Sequence, residues 1–148
     1  MSQPCRRQYL ELLTLASSAS LRRGLDGYRQ NLKYEFIRPP ETGLIMVRGR
    51  QGNTGALFNI GEMLVTRCAV KHEDHIGQAW VAGRNAAKAE LAALGDALAQ
   101  NRAYAEALAP FFEQLRRERL GRINRETKDI MTTKVNFITM VRGEDKND

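Results

Sequence analysis

The chain has 148 residues, 43% of them apolar and 27% charged. That is enough for one domain burying roughly 70% of its unfolded surface, and no apolar run approaches the roughly 18 residues of a membrane span. Its net charge of +6 points to anionic company, whether nucleic acid, a phosphorylated metabolite or an acidic protein. Two cysteines, Cys5 and Cys68, exclude a disulfide framework and a cysteine metal cluster. Glu11 interrupts the short apolar stretch near the N-terminus, which fits an amphipathic helix better than a signal peptide and makes the cytoplasm the expected compartment.

Leu10, Leu12, Leu13, Leu15 and Ala16 predict a first helix opening near Cys5. A second follows with Ser20 as its cap and Leu21, Leu25, Tyr28 and Leu32 at helical spacing. Gly24 and Gly27 lower its intrinsic helicity, so packing must hold it. The helix must stop before "RPPE", because two prolines remove backbone donors and Pro39 pushes Arg38 out of the helical region.

After the prolines the period changes to two. "GLIMVRGR" reads as a strand, "QGNTG" as a turn and "GEMLVTRCAVKHE" as the next strand. Its drier face carries Leu64, Thr66, Cys68, Val70 and His72. A turn around Asp74–Gly77 leads to a third strand, "QAWVAG", and the short connections favour antiparallel pairing. Asn85 is placed to cap a helix whose buried stripe is Ala87, Leu91, Leu94 and Leu98. A further helix carries Leu108, Phe111, Phe112, Leu115 and Leu120, with "RRERLGR" as its solvated end. "TKVNFITMV" reads as a closing strand and "EDKND" as a frayed tail. The expected fold is α+β: one domain over residues 1–148, with helices packed on one face of a mainly antiparallel sheet.

The tetrapeptide "MVRG" occurs at Met46–Gly49 and again at Met140–Gly143, each time ending an apolar run. If the two strands meet in the sheet, Arg48 and Arg142 converge on one surface. Arg48 and Arg50 stand among Gly49, Gly52 and Gly55, and guanidinium groups beside accessible backbone donors hold phosphate well. A plain hairpin turn has the same composition, and "GRQGNTG" is no Walker motif. Arg67 sits in a strand between apolar neighbours and needs a carboxylate, a ligand or an interface. Arg84 lies at a strand-to-helix junction where both its charge and the helix N-terminus favour an anion, or where it pairs with Glu62 or Asp96. Glu62 is the available general base. His72 and His75 with Glu73 and Asp74 offer metal-ligand chemistry, but a polar turn produces the same cluster. No catalytic residue and no metal site is assigned.

Three long blocks closely resemble the PhnG family, a subunit of the bacterial carbon–phosphorus lyase system: "RPPETGLIMVRGRQGNTGALFNIGEMLVTRC", "GQAWVAGRNAAKAELAALGDALAQ" and "TTKVNFITMVRGE". Departures from the family's usual pattern fall at Leu57, Asn85 and Asn136. The resemblance implies a role in phosphonate catabolism, in assembly with H, I and J subunits, two copies of each, and in functional partnership with an L subunit. The implied reaction displaces adenine from ATP and places a phosphonate on ribose C1, with catalysis carried by the I subunit. It also implies that the iron–sulfur cluster and S-adenosylmethionine chemistry belong to the J subunit, that this chain alone binds no cofactor, and that ATP is a substrate of the complex. On that reading Arg48, Arg50, Glu62, Arg67, Arg84 and Arg142 are substrate- or interface-binding candidates. The competing classes are a basic nucleic-acid-binding module and a stand-alone enzyme acting on a phosphorylated metabolite. Against the first, the aromatic residues are not interleaved with basic ones, so no specific nucleic acid is expected; no membrane partner is expected either.

Overall fold

The computed structural model describes residues 6–52 and 54–132. In chain order these form α1 (Arg6–Leu15), α2 (Ser18–Asn31), β1 (Glu35–Arg50), β2 (Leu57–His72), β3 (His75–Ala82), α3 (Ala86–Gln100) and α4 (Arg102–Thr132). The strands make one antiparallel sheet in the order β1-β2-β3. The expected α+β class, with helices on a mainly antiparallel sheet, is the observed one. The expected closing strand "TKVNFITMV" lies outside the described residues.

The helix α3 is the centre of the domain. Asn85 caps it, its side-chain oxygen accepting from the Lys88 amide at 3.0 Å. Its small residues let it lie close against the sheet. Ala89, Ala92, Ala93 and Ala97 are buried along with Leu91, Leu94 and Leu98. Gly77 of β3 marks the closest approach: a Cβ there would stand 2.0 Å from the Ala93 carbonyl oxygen and 2.4 Å from the Ala97 amide nitrogen. Only glycine fits between that strand and that helix. On the other side of α3, Leu12 and Leu13 of α1, Leu21 and Leu25 of α2, and Leu108, Phe112 and Leu115 of α4 complete the core. From the sheet the same core takes Cys68, Val70, Ala79 and Val81.

Four local expectations need correction. Ser17, not Ser20, caps α2; its Oγ accepts from the Ser20 amide at 3.0 Å, while the Ser20 hydroxyl turns to Glu118. The first strand does not wait for the prolines but starts at Glu35 and runs through them. Since β1 is an edge strand, a missing donor is tolerated, and the register shifts on both sides of Arg38 absorb the irregularity. The β2–β3 turn is Glu73–Asp74, with His72 opposite His75 and Glu73 at φ 52°, so β3 begins at His75, three residues before the expected Gln78. Finally, "RRERLGR" does not end its helix, since α4 continues to Thr132 across 31 residues with Pro110 inside it.

One buried carboxylate fastens these elements together. Asp96 of α3 has no exposed surface, and it accepts from Arg6 of α1 at 3.0 Å through Nε and 2.7 Å through Nη2, and from the Gln78 amide of β3 at 2.9 Å. The hydrogen bond to Asp96 is the main reason the Arg6 pKa is raised. Replacing Asp96 with Ala strands the Gln78 amide and removes the Arg6 clamp. We expect a loss of about 2–4 kcal/mol in urea unfolding of the full chain. A loss within about 0.5 kcal/mol, the usual range of a surface change, would contradict this account.

Candidate functional site

The helix layer covers only part of the sheet. The paired segments of β1 and β2 near the Gln51–Ala56 turn reach beyond it as a two-stranded arm. Along this arm Leu44, Met46, Leu57, Phe58, Ile60 and Met63 are all exposed, Ile60 to 63%. The opposite, helix-free sheet face adds Ile76 and Trp80, each about half exposed. Isolated exposed apolar residues are ordinary, but so many along two paired strands stand out. The second half of α4 behaves similarly: Leu120, Ile123, Ile130 and Met131 face outward.

Arg48 and Arg50 lie on this arm. Arg48 pairs in register with Asn59, and Arg50 donates through Nη1 to the Gly55 carbonyl at 3.2 Å, bracing the turn. Gly52 within that turn has φ 61°, which is why glycine stands there. Glu62 is exposed opposite Met46 on the same arm. Arg67 lies on the helix-free face, some eight strand positions from Asn59, or roughly 25 Å at the usual strand rise. Arg67 therefore does not share a local site with Arg48. Arg142 and its proximity to Arg48 lie outside the described residues.

Arg67 has found the carboxylate its position called for. Its Nε donates to Glu41 at 2.7 Å, and its guanidinium carbon stands 5.5 Å from the centre of the Trp80 ring. Glu41, Arg67 and Trp80 are register partners across all three strands. The stack combines a charge-assisted hydrogen bond with a cation–π contact.

Arg84 sits on a pinned junction. The Thr66 hydroxyl donates to the Gly83 carbonyl at 2.6 Å and accepts from the Asn85 amide at 3.0 Å, while Gly83 takes φ 80°. Both neighbours of Arg84 are thus fixed to β2, and its side chain projects into solvent. The alternative pairing of Arg84 with Asp96 does not occur, since Asp96 is committed to Arg6 and Gln78. Among the described residues neither Arg84 nor Glu62 makes a side-chain hydrogen bond or ion pair.

Cys68 is buried in the core, where desolvation and then the charge of Glu90 push its thiol up to about 11. At neutral pH it remains a thiol and is a poor nucleophile. Nδ1 of His72 meets the Lys33 carbonyl at 2.9 Å. Among the described residues no group of three or more His, Cys, Asp or Glu side chains is placed to hold a metal ion. No helix among them is long and apolar enough to cross a membrane.

A cluster that sequence reasoning missed is formed by Arg119, Arg122 and Arg125. Their spacing of three in "RLGRINR" puts them along one flank of α4, and they line a cleft with Arg23 of α2. That spacing was the available signal, but the run read as solvated because nothing in it says which flank meets another helix.

These features define a single α+β domain with its helices on one sheet face and an arginine-bearing apolar arm beyond them. The chain belongs to the PhnG family: the family described as phosphonate metabolism protein PhnG matches residues 4–143. It is 36% identical over 141 residues to a Rhizobium meliloti (strain 1021) protein named alpha-D-ribose 1-methylphosphonate 5-triphosphate synthase subunit PhnG, covering 95% of this chain and 90% of that one.

Protonation gives a direct test of the Arg67 stack. Desolvation acts to raise the Glu41 pKa, but the hydrogen bonds and charges of Arg67 and Arg38 outweigh it and hold it below its ordinary value of 4.5. A depressed carboxylate contributes stability above its unfolded-state value and loses it as pH falls through the lower native value. Trp80 is the single tryptophan, so its emission should change on acidification below pH 4.5 and report release of Arg67. In Glu41→Gln that transition should vanish; its persistence would assign it to another group.

Proposed function

We propose that this chain is a subunit of the synthase that forms alpha-D-ribose 1-methylphosphonate 5-triphosphate, in the catabolism of phosphonates. Family membership supports the metabolic setting, and the Rhizobium meliloti relative bears that synthase's name. The observation that carries the subunit reading is the apolar β1–β2 arm: Leu44, Met46, Phe58 and Ile60 are exposed on the strand segments nearest the Gln51–Ala56 turn, which no helix among the described residues covers. An isolated domain gains nothing from holding such a ribbon in water, whereas a partner subunit buries it at about 25 cal/mol per Å².

On this reading the partners are the H, I and J subunits, with the L subunit acting alongside, and the I subunit performs the displacement of adenine from ATP by a phosphonate. This chain supports that chemistry through contacts. Arg48, Arg50, Arg67, Arg84 and Arg142 supply positive potential near a triphosphate-bearing substrate or dock against acidic side chains of the partners. Arg84 suits either role best among the described residues, because its backbone is fixed while its guanidinium is exposed. A cytoplasmic setting fits a chain whose buried Cys68 is a free thiol.

The test is the composition of the complex recovered with a tagged copy from cells grown on a phosphonate. The wild-type chain should bring down H, I and J subunits in stoichiometric amounts. Phe58→Asp with Ile60→Asp should reduce that recovery by about tenfold, since a desolvated charge at an interface core costs well over 1.4 kcal/mol. The same pair should leave unfolding of the isolated chain within about 0.5 kcal/mol, because both positions are exposed. Undiminished recovery with the double variant would remove the arm from the interface.

A further inference from the structure

The C-terminal end of α1, the start of α2 and the middle of α4 enclose a cleft of about 300 Å³. Arg23, Arg119, Arg122 and Arg125 line it, and one acidic residue, Glu118, stands among them. Leu12 and Leu115 form its apolar floor. Four guanidinium groups around a half-enclosed space of this size repel one another unless an anion is shared between them.

Glu118 and the carboxylates bordering the cleft account for only part of the charge. Glu118 accepts from Ser20 at 2.5 Å and Gln114 at 2.8 Å and lies 3.4 Å from Arg23. The Ser20 hydrogen bond, then that of Gln114, lowers its pKa, so it stays ionised and directed at α2. Arg119 is engaged by Glu11. The remaining pair is different. Arg122 donates to the Leu15 carbonyl at 3.0 Å, and its nearest carboxylate, Glu126, is 4.0 Å away. Arg125 makes no side-chain hydrogen bond or ion pair among the described residues.

We infer that this cleft is a binding site for a small oligophosphate group, held mainly by Arg122 and Arg125. The forked guanidinium matches phosphate oxygens two at a time, and two such forks on one helix flank suit adjacent phosphates. The volume accommodates a short phosphate chain. Glu118 within the lining and Glu11 beside Arg119 disfavour an extended polyanion, whose backbone would have to pass them. The Ser17-capped start of α2 borders the same space and adds favourable potential without being required. This site goes beyond the subunit reading and involves none of the arm or junction arginines. Its binding test uses the full chain alone, so it stands or falls independently of assembly.

The experiment is isothermal titration of the full chain with inorganic tripolyphosphate, ATP, AMP and a short single-stranded DNA. Saturable one-to-one binding of tripolyphosphate is expected, with AMP weaker by about tenfold because it offers one phosphate for the two forks. ATP equal to tripolyphosphate identifies the oligophosphate itself as the recognised group; ATP tighter than tripolyphosphate identifies a nucleotide as its source. The double variant Arg122→Gln with Arg125→Gln should weaken tripolyphosphate by about tenfold or more, and Arg116→Gln with Arg117→Gln, the same charge change outside the cleft, by no more than about twofold. Should the first double variant fail to fold, Arg125→Gln alone makes the test, since its side chain anchors nothing among the described residues. Equal weakening by both double variants, absence of saturable binding, or tighter binding of the DNA than of tripolyphosphate overturns the site.

Discussion

The domain depends on one buried charge. Asp96 stands in the middle of α3 with no contact with water, and an ion there is tolerable only if it is fully hydrogen-bonded. Arg6 supplies two donors from α1 and Gln78 supplies a backbone amide from β3. That arrangement fixes three elements relative to one another at a single point. The residue before Gln78 is Gly77, where the helix backbone comes so close that no side chain fits. Close approach and the carboxylate clamp are therefore two parts of one contact between α3 and β3. With α3 held there, the remaining helices pack on its far side, and no element among the described residues covers the other sheet face.

The uncovered face and the arm explain how a domain of this size presents so much apolar surface. β1 and β2 are each 16 residues long, while β3 has 8. The third strand pairs with β2 only from Val65 onward, and among the described residues the arm beyond that register has two strands and no helix. Two-stranded ribbons are marginal in water without a packed face. Arg50 bracing the Gly55 carbonyl and the long ladder behind it maintain the arm, but its apolar side chains find no partner within the described domain.

Much of the fold was legible because its signals are local. The alanine-rich α3 with Asn85 as its cap, the alternation in β2 and the turn glycines each declare themselves within a few residues. What was illegible depends on partners distant in sequence. Pro39 and Pro40 read as a break between a helix and a later strand, and only the position of β1 at the sheet edge makes them compatible with a strand. Ser17 and Ser20 are equally good caps on composition; Glu118 decides between them by claiming the Ser20 hydroxyl. The link between Arg6 and Asp96 spans 90 positions and leaves no periodic trace. Of the candidate residues, Arg67 read as needing a carboxylate, a ligand or an interface, and its choice of Glu41 required the register of the strands. The arginine cleft was hidden for the same reason, since the flank of α4 it occupies becomes a wall only where α1 gives way to α2.

The central claim is that the arm exists to be covered by another subunit. Hydrogen–deuterium exchange, compared between the chain alone and the chain in its recovered complex, tests it most directly. The account predicts that amides of residues 43–50 and 57–62 slow by about tenfold or more on assembly, while those of α3, already protected by the core, do not change. Protection confined to other surfaces, with the arm exchanging as fast in the complex as alone, would contradict it.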